Sequence, residues 1–148
     1  MRTFYAFCIN DFYFDMYNKH SYQLYKILED IYYTKNYDKF NSYRLYKQVV
    51  NTINKMLCNG YITKNHRLSY EYSCDNNTHF IKKKEEHSKM VISNVNIKII
   101  SDVNYPSFFD DINNYASNVF VCDFDNKDYF WLDKVVKTYR QKEVVSVQ

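Results

Sequence analysis

The stretch Thr3-Phe4-Tyr5-Ala6-Phe7-Cys8-Ile9-Asn10-Asp11-Phe12-Tyr13-Phe14-Asp15-Met16-Tyr17 decides the fold class. From Phe4 to Ile9 every residue is apolar or aromatic, so neither alternating face of an extended chain offers water a polar surface. Such a run reads as a central strand covered on both sides. Asn10 interrupts it. An Asn ahead of an acid is a helix-start signal: its side-chain oxygen accepts from an orphan backbone N–H, and Asp11 sits at the positive end of the helix that follows.

Helical spacing continues to about Tyr33, where Leu24, Ile27, Leu28 and Ile31 make a buried stripe, with a break near Lys19-His20-Ser21 that divides two helices. The polar segment 34–40 reads as a loop. Tyr43, Tyr46, Val50, Ile53 and Leu57 predict one helix over 42–57, closed by Asn59-Gly60 with Gly60 at the left-handed position beyond its end. Alternation at Leu68, Tyr70 and Tyr72 suggests a short strand, Asp75-Asn76-Asn77 a turn, and 79–83 the return strand. The charged run 82–86 reads as a solvated face. Met90-Val91-Ile92 and Ile97-Lys98-Ile99-Ile100 form a hairpin. Pro106-Ser107 opens a short helix with Asp110 and Asp111 in its first turn. Val119-Phe120-Val121-Cys122 is a second central strand, and Tyr129 to Leu132 follow a turn at 125–128. The expected class is therefore α/β (α+β): a single mixed β-sheet with flanking α-helices, both apolar strands being interior. The 148 residues make one domain, 1–148, with 138–148 expected to be a frayed tail.

Composition narrows the chemistry. One Gly, Gly60, excludes a P-loop or a dinucleotide fingerprint, both of which cradle phosphate on several glycines. Cys58, His66, Cys74, His79 and His87 lack the close ligand pairs of a zinc knuckle, and scattered surface histidine is the simpler reading. Counted from Asp123, a calcium loop would need Gly and Glu where Asp128 and Lys134 stand. No Ser or Cys sits in a Gly-flanked elbow, and a Cys74–His pair has only sequence proximity to support it. Asp110 and Asp111 point about 100° apart on a helix, which suits dipole partners better than a catalytic dyad. No metal, no cofactor and no catalysis are expected. With four unpatterned cysteines and neither a signal peptide nor a span-length apolar run, the expected location is the cytoplasm.

What remains is aromatic surface: 17 Tyr and 11 Phe in a chain of net charge +3. On the first helix, positions 12 and 16 share one face and 13 and 17 another. If Phe12 and Met16 face the sheet, Tyr13 and Tyr17 are exposed interface anchors. The competing reading makes both tyrosines outer core.

Three stretches resemble the SirA family, sporulation inhibitors of replication. They are the aromatic strand and acidic helix from Phe4 to Tyr17; Ile97 to Asp102 followed by Phe108-Phe109; and Val121-Cys122-Asp123-Phe124-Asp125-Asn126-Lys127-Asp128-Tyr129-Phe130-Trp131-Leu132. The resemblance implies a non-catalytic protein that binds the N-terminal domain of the replication initiator DnaA, with contacts falling on Tyr13, Tyr17 and Gln48. The family has Phe where this chain has Tyr13. It has Pro after Trp-Leu, where this chain has Asp133. No membrane, no small-molecule substrate and no direct nucleic-acid contact are expected. The alternative is a small single-stranded nucleic-acid module that stacks bases on Tyr and pairs phosphates with Lys, which the basic cluster 82–84 favours and its neighbouring acids oppose.

Overall fold

The computed structural model describes the backbone of residues 1–34 and 39–147, and side chains over 1–34 and 42–143. The elements run β1 (Arg2–Cys8), α1 (Asp11–Tyr17), α2 (Ser21–Tyr33), α3 (Lys39–Val49), α4 (Lys55–His66), β2 (Tyr72–Asp75), β3 (Thr78–Lys83), β4 (Glu86–Ile92), β5 (Ile97–Ser101), α5 (Phe108–Tyr115), β6 (Val119–Asp123), β7 (Asp128–Trp131) and α6 (Leu132–Val147). One sheet holds all seven strands in the order β2-β3-β4-β5-β1-β6-β7, so β1 and β6 are interior as their unbroken apolar character requires. Every pairing is antiparallel.

Strand alternation divides the core in two. Phe4 and Ala6 of β1 and Val119 and Val121 of β6 join Ile81, Met90, Ile92, Ile97 and Ile99 beneath α4, α5 and α6, which supply Ile62, Phe108, Phe109, Ile112, Leu132 and Val136. The opposite face sends Phe7, Phe120, Cys122 and Trp131 against Leu24, Tyr25 and Leu28 of α2 and Tyr46 and Val49 of α3. The first face is roofed along its length. The second is roofed only over β1, β6 and β7.

Several expectations are corrected. The helix expected over 42–57 is two helices. Val50 instead forms an antiparallel bridge with Ile9, and Asn51 donates its N–H to the Cys8 carbonyl at 2.8 Å. Asn54 then caps α4, accepting from the Leu57 N–H at 3.1 Å, and Leu57 is exposed. Gly60 lies inside α4 and is exposed, with nothing within 4 Å of where a Cβ would stand, so no left-handed turn demands it. The strand expected around residues 68–72 begins only at Tyr72, and Leu68 and Tyr70 are among the most exposed apolar residues. The turn is where Asn76-Asn77 predicted, with Asn76 left-handed at φ 57°. Glu86, read as solvated, is buried: it accepts from the Ser107 N–H at 2.9 Å and from the Ser107 and Ser88 hydroxyls, which tie β4 to the start of α5. Residues 138–147 continue α6, where Tyr139 stacks on Tyr105 with ring centroids 3.8 Å apart. Part of the loop expected over 34–40 lies outside the described residues.

At the turn after β6, Asp123 is fully buried and accepts from Arg2 Nε at 2.9 Å and from Asn126 Nδ2 at 2.7 Å. Burial alone would raise its pKa, but these donors hold the carboxyl below its usual value. These bonds fix the β6–β7 turn.

Trp131, on the edge strand β7, is 5% exposed and meets Phe120 and Phe14 edge-on at 4.9 and 5.2 Å. Its Nε1 is buried and, among the described residues, has no hydrogen-bond partner. Trp131→Ala is expected to cost about 3–5 kcal/mol in chemical denaturation. Trp131→Phe should cost far less, because it keeps most of the ring while removing the unsatisfied donor.

Candidate protein-binding face

The candidate face is α1, and one side chain sets its position. Asn10 Oδ1 accepts from the Tyr13 N–H at 2.9 Å, the capping bond expected from sequence. The same amide donates through Nδ2 to the Gln48 carbonyl at 2.8 Å, and the Asn10 N–H reaches the Val49 carbonyl at 3.0 Å. The start of α1 is thus bolted to the end of α3. At the other end Asn18 donates its N–H and its Nδ2 to the Phe14 carbonyl, both at 2.9 Å. A seven-residue helix is too short to be stable on its own propensity. Here both ends are closed by asparagine.

No residue of α1 is fully buried. Phe14 turns inward onto Trp131. Tyr13 and Tyr17 are half-buried and stack on each other, with centroids 5.8 Å apart and planes 20° apart. Phe12 and Met16, expected beneath the helix, are instead its exposed apolar residues at 64% and 48%. The physical reason is that Tyr13, Phe14 and Tyr17 take the inner side of α1, packing against the core of Phe7, Phe120 and Trp131, so the outer-core reading of the two tyrosines describes the structure better. Around the helix the residues fall in rows 100° apart: Asp11 and Asp15, then Phe12 and Met16, then Tyr13 and Tyr17. Gln48 is exposed, and its backbone joins this face through Asn10. The sequence signal that could have found Phe12 and Met16 is the excess of large side chains on so short a helix, more than one inward face can hold.

A second polar cluster lies on the opposite side of the sheet. His79, read as a surface residue, is fully buried, with Nε2 2.6 Å from Asn59 Oδ1 and Nδ1 2.7 Å from the Tyr72 hydroxyl. The Asn59 oxygen can only accept, so Nε2 carries the proton and Nδ1 takes the Tyr72 hydroxyl. Both ring nitrogens are therefore spent, and neither can serve Cys74 as a base. His66 pairs with Asp111 at 2.6 Å and stacks on Tyr72. These bonds fasten α4 to α5 and to the β2–β3 hairpin. Among the described residues no group of three His, Cys, Asp or Glu side chains could hold a metal ion. Burial pushes the Cys8 thiol up to about 11 and the Cys58 thiol to about 12, the reverse of what a nucleophile needs.

The family model for the sporulation inhibitor of replication protein SirA matches residues 2–136, from β1 into the second turn of α6. The chain belongs to the SirA family. Comparison with curated proteins gave no match. The family is one of regulatory inhibitors, and the match takes in α1, α3 and the Trp131-Leu132 junction. Among the described residues no helix is long and apolar enough to cross a membrane.

Burial lowers the His79 pKa, and the neighbouring His66 adds to the effect. The sign follows from linkage: an unfolded histidine binds a proton near pH 6.5, whereas the folded one resists it. Stability is fully present above that pH and falls below it, by at most about 1.4 kcal/mol per pH unit for one proton. Denaturation midpoints between pH 7 and 5 should show this slope, and His79→Gln should flatten it.

Proposed function

We propose that the chain blocks initiation of replication without catalysis, in the cytoplasm of a sporulating cell, by binding the N-terminal domain of DnaA. The observation that carries this reading is the α1 face: exposed Phe12 and Met16 beside stacked Tyr13 and Tyr17, on a helix fixed at both ends. A rigid, exposed aromatic row loses little conformational entropy on docking, which is what an interface anchor requires. Family membership supports the replication role, and the resemblance implies contacts at Tyr13, Tyr17 and Gln48. Gln48 would flank the anchors from α3. Occupying the partner's surface, and not altering it chemically, is the mode of inhibition.

Calorimetric titration with the DnaA N-terminal domain tests the reading. Tyr17→Ala should weaken binding by about thirtyfold or more, the effect of removing an aromatic near an interface centre. Phe12→Ala should weaken it as well, and because Phe12 is exposed the melting temperature should hold. Tyr13→Phe should be mild, since it removes only a hydroxyl. Unaltered affinity in both alanine variants would put the interface elsewhere.

A further inference from the structure

The sheet face opposite α4–α6 is open over β2–β5, and its side chains form an ordered grid. Register places Phe80 opposite Lys89, and Lys89 opposite Ile100. It also places Lys82 opposite His87, Val91 opposite Lys98, and Lys98 opposite Tyr5. Residues paired across strands share a face, so Lys82, Lys89 and Lys98 stand on a single diagonal across β3, β4 and β5. Diagonal neighbours on a sheet are roughly 7–8 Å apart. Lys82 and Lys89 are exposed and Lys98 half-buried, and among the described residues none is in an ion pair with a side chain that the structure shows.

Rings interleave with the cations. Lys82 lies over Phe80, 5.9 Å from its centroid, and Lys98 over Tyr5 at 5.8 Å. The register also removes the objection raised by the acids of the run 82–86. Lys83 points to the opposite face, Lys84 and Glu85 form the hairpin turn, and Glu86 is buried on Ser107 and Ser88. The acids that remain are at the rim: Glu71, whose carbonyl takes the Lys82 N–H at 2.9 Å, Asp75 on β2, and Asp102, which holds the His87 N–H.

We propose that this open half-sheet binds single-stranded nucleic acid, its phosphates following the Lys82–Lys89–Lys98 diagonal and a base resting on Phe80. An extended sugar–phosphate backbone presents negative charge at a regular repeat beside flat bases, and the face presents cations at a regular repeat beside the flat ring of Phe80. The site is separate from α1, so the two surfaces can be occupied independently.

The test is fluorescence anisotropy of a labelled oligothymidylate with the full chain. Three phosphate contacts give a slope of log affinity against log salt of about −2, or about twentyfold weaker binding from 50 to 200 mM salt. Lys89→Glu should lower affinity at least tenfold with an unchanged melting temperature, Lys89→Arg should restore it, and Phe80→Leu should lower it severalfold. Lys134→Glu on α6 makes the same charge change away from the face and should leave binding intact, as should Tyr17→Ala. Equal losses in Lys89→Glu and Lys134→Glu would show only net-charge attraction and overturn the proposal. So would the absence of binding at 50 mM salt. Displacement of the oligonucleotide by polyglutamate at equal charge would make the face a site for acidic protein and overturn it too.

Discussion

The side chain of Asn10 is the constraint on which the candidate face depends. At the end of β1 the chain must leave the sheet, start α1 and stay in contact with α3, and one amide does all three. It caps α1 at the Tyr13 N–H and holds the Gln48 carbonyl, while the backbone on either side bridges to residues 49–51. On the other flank the Ile9 N–H reaches the Asn118 carbonyl at the entry to β6. Three segments distant in sequence therefore meet at one point, and α1 is oriented by these polar bonds together with the packing of Tyr13, Phe14 and Tyr17 on the core. Because Tyr13, Phe14 and Tyr17 take the inner side of the helix, Phe12 and Met16 are left outside.

Asymmetric roofing of the sheet has the same kind of consequence. Three helices cover one face from end to end. Two cover the other face only around β1, β6 and β7. The half-covered face leaves rows of lysine and ring side chains in solvent, and the polar groups beneath the full roof must be paired. Glu86 with Ser88 and Ser107, and His79 with Asn59 and Tyr72, are those pairings. Losing one partner would strand a buried polar group, which costs more than the bond itself is worth.

What was legible in the sequence follows from this physics. Phe4–Ile9 and Val119–Cys122 announced interior strands because nothing polar interrupts them. Asn10 announced a cap, and the hairpin around residues 93–96 announced its turn. The misreadings share a cause: apolar periodicity reports that a side chain is buried, not what buries it. Val50 and Ile53 continued the helical stripe of α3 by spacing, yet Val50 is held in a bridge with Ile9, a long-range contact no local pattern shows. Phe12 and Met16 were placed beneath the helix by their spacing, while the inner side they would have filled is taken by Tyr13, Phe14 and Tyr17. His79 and Glu86 are polar residues whose partners arrive from α4 and α5, so their burial was invisible along the chain. The SirA-type ending was legible because Asp123, the turn and Trp131 are close in sequence and act together.

Backbone amide chemical-shift mapping of the isotope-labelled chain, on adding the DnaA N-terminal domain, tests most directly whether the Asn10-anchored helix is the partner face. The largest perturbations are expected at residues 11–17 and around Gln48, with β2–β5 and α4–α6 silent. Perturbations centred on the half-sheet or on α4–α6, with α1 unmoved, would contradict it.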